Sequence, residues 1–258
     1  MLAKWGFTRK NTAAASLVKR SVIALNFLYV IAIIPTFIVL LYTSTFLMPI
    51  LLGVQTEYDF LMGTLLALII TCLWGAGPVT SGFVYILRNF SREEHSWIFS
   101  DFFQQLLKNF KQSIVVFLVD LVFLFLFAVA FSFYAAQMQA NMLFFPMYIL
   151  LILLFVIYTS MHLYIYPMMV TFKLPLRELY KNSLIFAMAR IPQNILIIAS
   201  IIAIVVAAFL NLFGFILLVL ALMILFSLCG FISVFWSYPT LQRHMLQSDD
   251  EVKSDYET

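Results

Sequence analysis

The sequence predicts an all-α polytopic membrane protein, with six transmembrane helices as three hairpins and cytoplasmic amphipathic helices between them. Three observations carry this prediction. The 258 residues are 64% hydrophobic and 10% charged, where an ordinary soluble domain is ~45–50% apolar, and the mean hydropathy is +1.03. The apolar residues form long uncharged tracts. All 15 Lys and Arg residues lie in the segments that separate or flank the three hairpins, and none lies in a hairpin turn.

Residues 1–20 hold Lys4, Arg9, Lys10, Lys19 and Arg20 and read as a cytoplasmic N-terminal segment. The uncharged run over 21–56 is far longer than the ~7–15-residue apolar region of a signal peptide and ends in no small-residue cleavage site, so it reads as a retained first helix, about 22–48. After a turn over 49–59, a second helix follows at about 60–87. The tracts 121–172 and 191–242 would each form ~78 Å of continuous helix at ~1.5 Å per residue, more than twice a ~30 Å hydrocarbon core. Each must therefore fold back on itself. Gln137-Met138-Gln139-Ala140-Asn141 marks the turn in one, and Asn211 with Gly214 marks it in the other. The remaining helices fall at about 113–136, 143–171, 192–211 and 214–237, which closes a transmembrane domain over 21–245. An acidic tail, 246–258, contains Asp249-Asp250-Glu251 and reads as disordered and solvated.

Orientation follows from the cations, because Lys and Arg near helix ends stay in the cytoplasm. Arg88, Arg92, Lys108 and Lys111 fill the second connection; Lys173, Arg177, Lys181 and Arg190 fill the fourth; Arg243 and Lys253 lie in the tail. Both termini are thus expected in the cytoplasm. The hairpins also resemble one another: each return helix reaches a proline near its basic end, at Gly77-Pro78, Tyr166-Pro167 and Tyr238-Pro239, as a duplication would leave.

Ser91-Arg92-Glu93-Glu94 fits a capping box ahead of a helix over about 92–112. Its apolar residues Ile98, Phe99, Phe102, Phe103, Leu106, Leu107 and Phe110 recur at helical spacing, with Asp101, Gln104, Gln105, Lys108 and Lys111 on the other side. Such a helix lies in the membrane interface, covers its own bundle or docks a partner. A counterpart runs over 175–190, with Pro175 in its first turn and Leu179, Leu184, Ala187 and Met188 as its apolar residues.

Within the apolar tracts the acid is Asp120 and the ionisable base is His162. Charge at that depth is costly and usually faces a bundle interior or water. Asp120 lies roughly 10 Å below the basic surface and His162 at a similar depth on the antiparallel neighbour, so the two can meet, and Asn26 of the first helix is near the same level. This predicts an intramembrane polar cluster of Asp120, His162 and Asn26, which either locks the hairpin or relays protons.

Gly75, Gly77 and Pro78 predict a helix break, since Trp74-Gly75-Ala76-Gly77-Pro78 forms no G-x-G-x-x-G phosphate loop. Glu93-Glu94-His95 lacks the second His of a zincin, and no nucleophile elbow, P-loop or Cys-x-x-Cys occurs, so no catalytic residue, metal or cofactor is expected. Cys72 and Cys229 both lie in apolar runs and read as small packing residues. Without a stripe of cations and stacking aromatics, nucleic acid is not an expected partner.

The stretch from Trp74 to Gly82, followed by Tyr85, Arg88, Asp101-Phe102-Phe103 and Lys108-Asn109-Phe110-Lys111-Gln112-Ser113, resembles the YesL-like family of bacterial membrane proteins. The similarity covers mainly residues 60–125. What it implies is a setting beside carbohydrate ABC importers of Gram-positive bacteria, without any catalytic residue. On that resemblance the expected function is a non-catalytic auxiliary subunit, with the lipid bilayer and the importer's permease subunits as partners. The alternative is a stand-alone small-solute carrier or channel that uses Asp120 and His162.

Overall fold

A chain surrounded by hydrocarbon must satisfy its backbone hydrogen bonds internally, and a helix does so within one segment. The computed structural model describes residues 12–52, 59–92, 94, 96–172, 174–210, 226, 228–237 and 241. Among them every regular element is helical. In order these are α1 (Thr12–Leu52), α2 (Asp59–Trp74), α3 (Pro78–Ser91), α4 (Ile98–Lys108), α5 (Phe110–Ala140), a 3-10 turn (Met142–Phe144), α6 (Phe145–Thr171), α7 (Leu176–Ala189) and α8 (Ile191–Leu210). A shorter apolar helix, α9 (Leu228–Ser237), follows.

Three stretches are long and apolar enough to cross a bilayer: Ile23–Leu51, Phe110–Met138 and Met142–Thr171. Two bent pairs bring the number to as many as five among the described residues: α2 with α3, bent by 52°, and α7 with α8, bent by 95°. Of the helix expected over 214–237, α9 is the described portion. The Asn211 and Gly214 turn, the first basic residues Lys4 to Lys10, Glu93, His95, Pro239 and the acidic tail lie outside the described residues.

The surface is apolar where a soluble protein's would be polar. Ile23, Phe27, Ile31, Ile34 and Ile38 form an exposed stripe at helical spacing along α1, and Val122, Phe125, Leu126, Val129 and Phe133 do so on α5. Trp74, Tyr164 and Phe102 are the largest side chains sealed inside.

The helix expected over 60–87 is interrupted at Gly75 to Gly77, where a break was expected. Three boundaries differ from expectation. The amphipathic helix is shorter than 92–112, because Ser91 ends α3 instead of capping α4: its hydroxyl donates to the Arg88 carbonyl, while the Trp97 N–H is capped by Asp101 Oδ2 at 2.8 Å. At its far end Asn109 separates α4 from α5, which places Phe110 on α5. The turn over 137–141 is tighter than expected. Residues 137–140 remain helical, and Asn141 turns the chain by accepting the Leu143 N–H at 3.0 Å.

α4 packs against α3, and the α3 backbone at Gly82 lies directly on the Phe102 carbonyl. The predicted interface residues therefore divide. Phe102 is buried, Ile98 and Leu106 are half-buried, and Phe99, Phe103 and Phe110 remain exposed with Trp97 and Leu107.

Candidate functional site

Asp120 on α5 and His162 on α6 come together in the structure. His162 Nε2 stands 2.8 Å from Asp120 Oδ1, and the Tyr158 hydroxyl, one helical turn before His162, donates to the same oxygen at 2.7 Å. Both residues of the pair are 3% exposed. His162 Nδ1 lies 3.1 Å from the Tyr158 carbonyl. A carbonyl only accepts, so Nδ1 carries a hydrogen. The contact between Nε2 and Oδ1 needs one more, and the pair therefore holds a shared proton that leaves it neutral overall, whichever partner keeps it. Asp120 Oδ2 has no hydrogen-bond partner, and neither has the Tyr180 hydroxyl, among the described residues.

Aromatic rings enclose the pair. Trp74 stacks on the imidazole with centroids 5.4 Å apart and planes 21° apart, and its indole N–H donates to Thr159 Oγ1 at 3.1 Å. Phe123 stacks on Tyr158 at 4.1 Å. Asn26 is fully buried on α1. The expected pair of Asp120 and His162 is extended by Tyr158 and Trp74.

Trp74 ends α2 at the helix break. Gly75 and Gly77 hold φ of +79° and +69°, a region that costs other L-residues ~1–2 kcal/mol. Pro78 has no N–H and takes the first turn of α3. Two freed amides find side-chain acceptors. Ala76 N–H donates to Thr80 Oγ1 at 2.7 Å, and Gly77 N–H donates to the Tyr166 hydroxyl at 3.2 Å. The Tyr29 hydroxyl of α1 lies 3.2 Å from the same Thr80 oxygen. Helices α1, α3 and α6 thus clamp the break.

A cavity of about 40 Å³ opens beside it, lined by Thr71, Cys72, Leu73 and Trp74 of α2, by His162 and Tyr166 of α6, and by α9. Such a space admits a few water molecules or one small ion. At the basic end, Arg88 donates to the Val170 carbonyl at 3.1 Å, to Thr171 and to Asn89, with its guanidinium 4.5 Å over the Tyr85 ring. The end of α3 is thereby fastened to the end of α6. Among the described residues no group of three or more His, Cys, Asp or Glu side chains is placed to hold a metal ion.

No family model, curated protein or solved structure matches the chain.

Proposed function

We propose that this chain is a non-catalytic auxiliary subunit of the cell membrane, bound to the permease helices of a carbohydrate ABC importer. In this reading it crosses six times as three hairpins, with both termini cytoplasmic. The observation that carries it is an exposed aromatic face beside a small cavity. Trp97, Phe99, Phe103 and Leu107 project from α4, Trp97 and Leu107 being 71% and 70% exposed, and aromatic side chains supply the largest contact area between helices. The cavity at the break offers about 40 Å³, far below the ~300–1,000 Å³ of ordinary ligand pockets. A sugar needs a larger site with many hydrogen-bond partners. Arg88 at the start of the second connection bonds to α6 at the start of the fourth, which supports a common basic side for both. Purification in mild detergent from the native membrane is expected to bring permease subunits with the chain. Their absence from an otherwise monodisperse preparation sinks this reading.

A second reading, a small-solute carrier or channel, is favoured by one observation: the break in α2 beside Asp120 and His162. Interrupted helices at the bilayer midplane are a recurring way to hold a transported solute. Solute flux through the purified protein in liposomes supports it, and tight liposomes refute it.

A further inference from the structure

An unbroken helix through residues 72–78 would place the N–H of residue 76 on the carbonyl of Cys72 and that of residue 77 on the carbonyl of Leu73. Here both donors are engaged elsewhere, on Thr80 and Tyr166, and Pro78 has no hydrogen to give Trp74. Among the described residues no hydrogen bond ends on the carbonyls of Cys72, Leu73 or Trp74. The last carbonyls of a helix point beyond it along its axis and carry the negative end of its dipole. All three residues line the cavity at the break. A separate observation comes from the preceding turn. Thr71 is 2% exposed, lines the same cavity, and its hydroxyl has no hydrogen-bond partner.

Buried carbonyls and hydroxyls left unbonded are expensive in an apolar interior, so something must satisfy them. The lining supplies neutral oxygens and contains no carboxylate. Divalent hard cations bind through carboxylates as a rule, whereas neutral oxygens at the negative end of a helix suit a singly charged ion. His162 forms part of the wall, and because its pairing with Asp120 leaves the two neutral overall, the wall adds no net positive charge against a cation. The space is too small for an organic cation with its own hydration, and sufficient for one bare alkali ion with a water or two.

We propose that the cavity at the α2 break binds a single alkali-metal cation, held by the carbonyl oxygens of Cys72, Leu73 and Trp74 and by the Thr71 hydroxyl. The site goes beyond the accessory role and does not depend on it: an accessory subunit can hold a structural ion, and loss of partner binding leaves the ion measurement untouched. It also requires no transport.

The test is equilibrium binding of radioactive sodium, and of rubidium as the stand-in for potassium, to the full chain in detergent at constant ionic strength with choline chloride as filler. One saturable site per chain is expected for one of the two ions. Thr71→Ser, which keeps the hydroxyl, should bind like the wild type. Thr71→Val, its near-isostere without the hydroxyl, should bind at least tenfold more weakly while eluting as the same monodisperse species. Absence of saturable binding by either ion to the wild type overturns the site and leaves the cavity to water. Unchanged binding by a monodisperse Thr71→Val overturns it equally, by placing the ion elsewhere. If Thr71→Val does not yield a monodisperse protein, the wild-type measurement alone decides, read as an ion-specific rise in melting temperature that choline does not reproduce.

Discussion

His162 Nε2 and Asp120 Oδ1 lie 2.8 Å apart across the α5 and α6 interface, and Tyr158 donates to the same carboxylate oxygen. Removing one partner of such a buried pair strands the other. Asp120→Leu is therefore expected to cost ~3–5 kcal/mol. Adding His162→Leu should recover part of that loss, because two apolar side chains can fill the site without a charge to compensate. Denaturation of the two single variants and the double variant in detergent measures this coupling. Strict additivity would mean that the contact contributes nothing.

The break is built on two glycines with positive φ, and they are not equally replaceable. Gly77→Ala is expected to cost ~1–2 kcal/mol of backbone strain, with its Cβ 3.1 Å from Phe117 Cβ. Gly75→Ala should cost more, since its Cβ would sit 2.7 Å from Thr80 Cγ2 and 3.0 Å from the Tyr166 ring. Melting temperatures of the two variants give the order. A Gly75→Ala protein as stable as the wild type would show that α2 and α3 can run on as one helix.

Thr80 holds the break through its hydroxyl, which accepts from the Ala76 amide. Thr80→Val preserves the shape and leaves that amide unsatisfied, at an expected cost of about 1–3 kcal/mol. Thr80→Ser should lie much nearer the wild type. Equal losses from both would assign the effect to packing of the methyl group rather than to the hydrogen bond.

Two residues one position apart on α4 should behave oppositely. Phe102 is fully buried against Gly82, so Phe102→Ala is expected to cost ~3–5 kcal/mol. Phe103 is exposed and touches Phe102 only ring edge to face, with centroids 5.4 Å apart, and Phe103→Ser should change stability by no more than about 1 kcal/mol while reducing co-purification of the permease subunits. Phe99→Ser and Leu107→Ser should follow Phe103→Ser. Undiminished capture by a triple variant would remove α4 from the docking surface.

Much of this was legible in the chain. The all-α character follows from apolar tracts too long for a soluble core, and the meeting of Asp120 with His162 follows from two lone ionisable groups at similar depth on adjoining helices. The rest of the site was visible only as periodicity: Tyr158, His162 and Tyr166 recur at intervals of four and so share one face of α6. In a sequence with 12 Tyr and 28 Phe that pattern does not stand out. The limits of α4 were obscured because Ser91-Arg92-Glu93-Glu94 satisfies a capping pattern locally, whereas α3 runs through Ser91 and fastens its hydroxyl to Arg88.

The stem of α2 has 16 residues, roughly 24 Å at ~1.5 Å per residue, and is shorter than the ~30 Å of hydrocarbon it meets. On the proposed six-span reading its broken end stops inside the slab, so that acyl-chain length governs how deeply that end is submerged. Short-chain lipids thin the slab toward the break and bring it nearer to headgroup water, whereas long-chain lipids seal it or tilt the stem. On that reading membrane thickness is a physical variable that acts on the break independently of any partner.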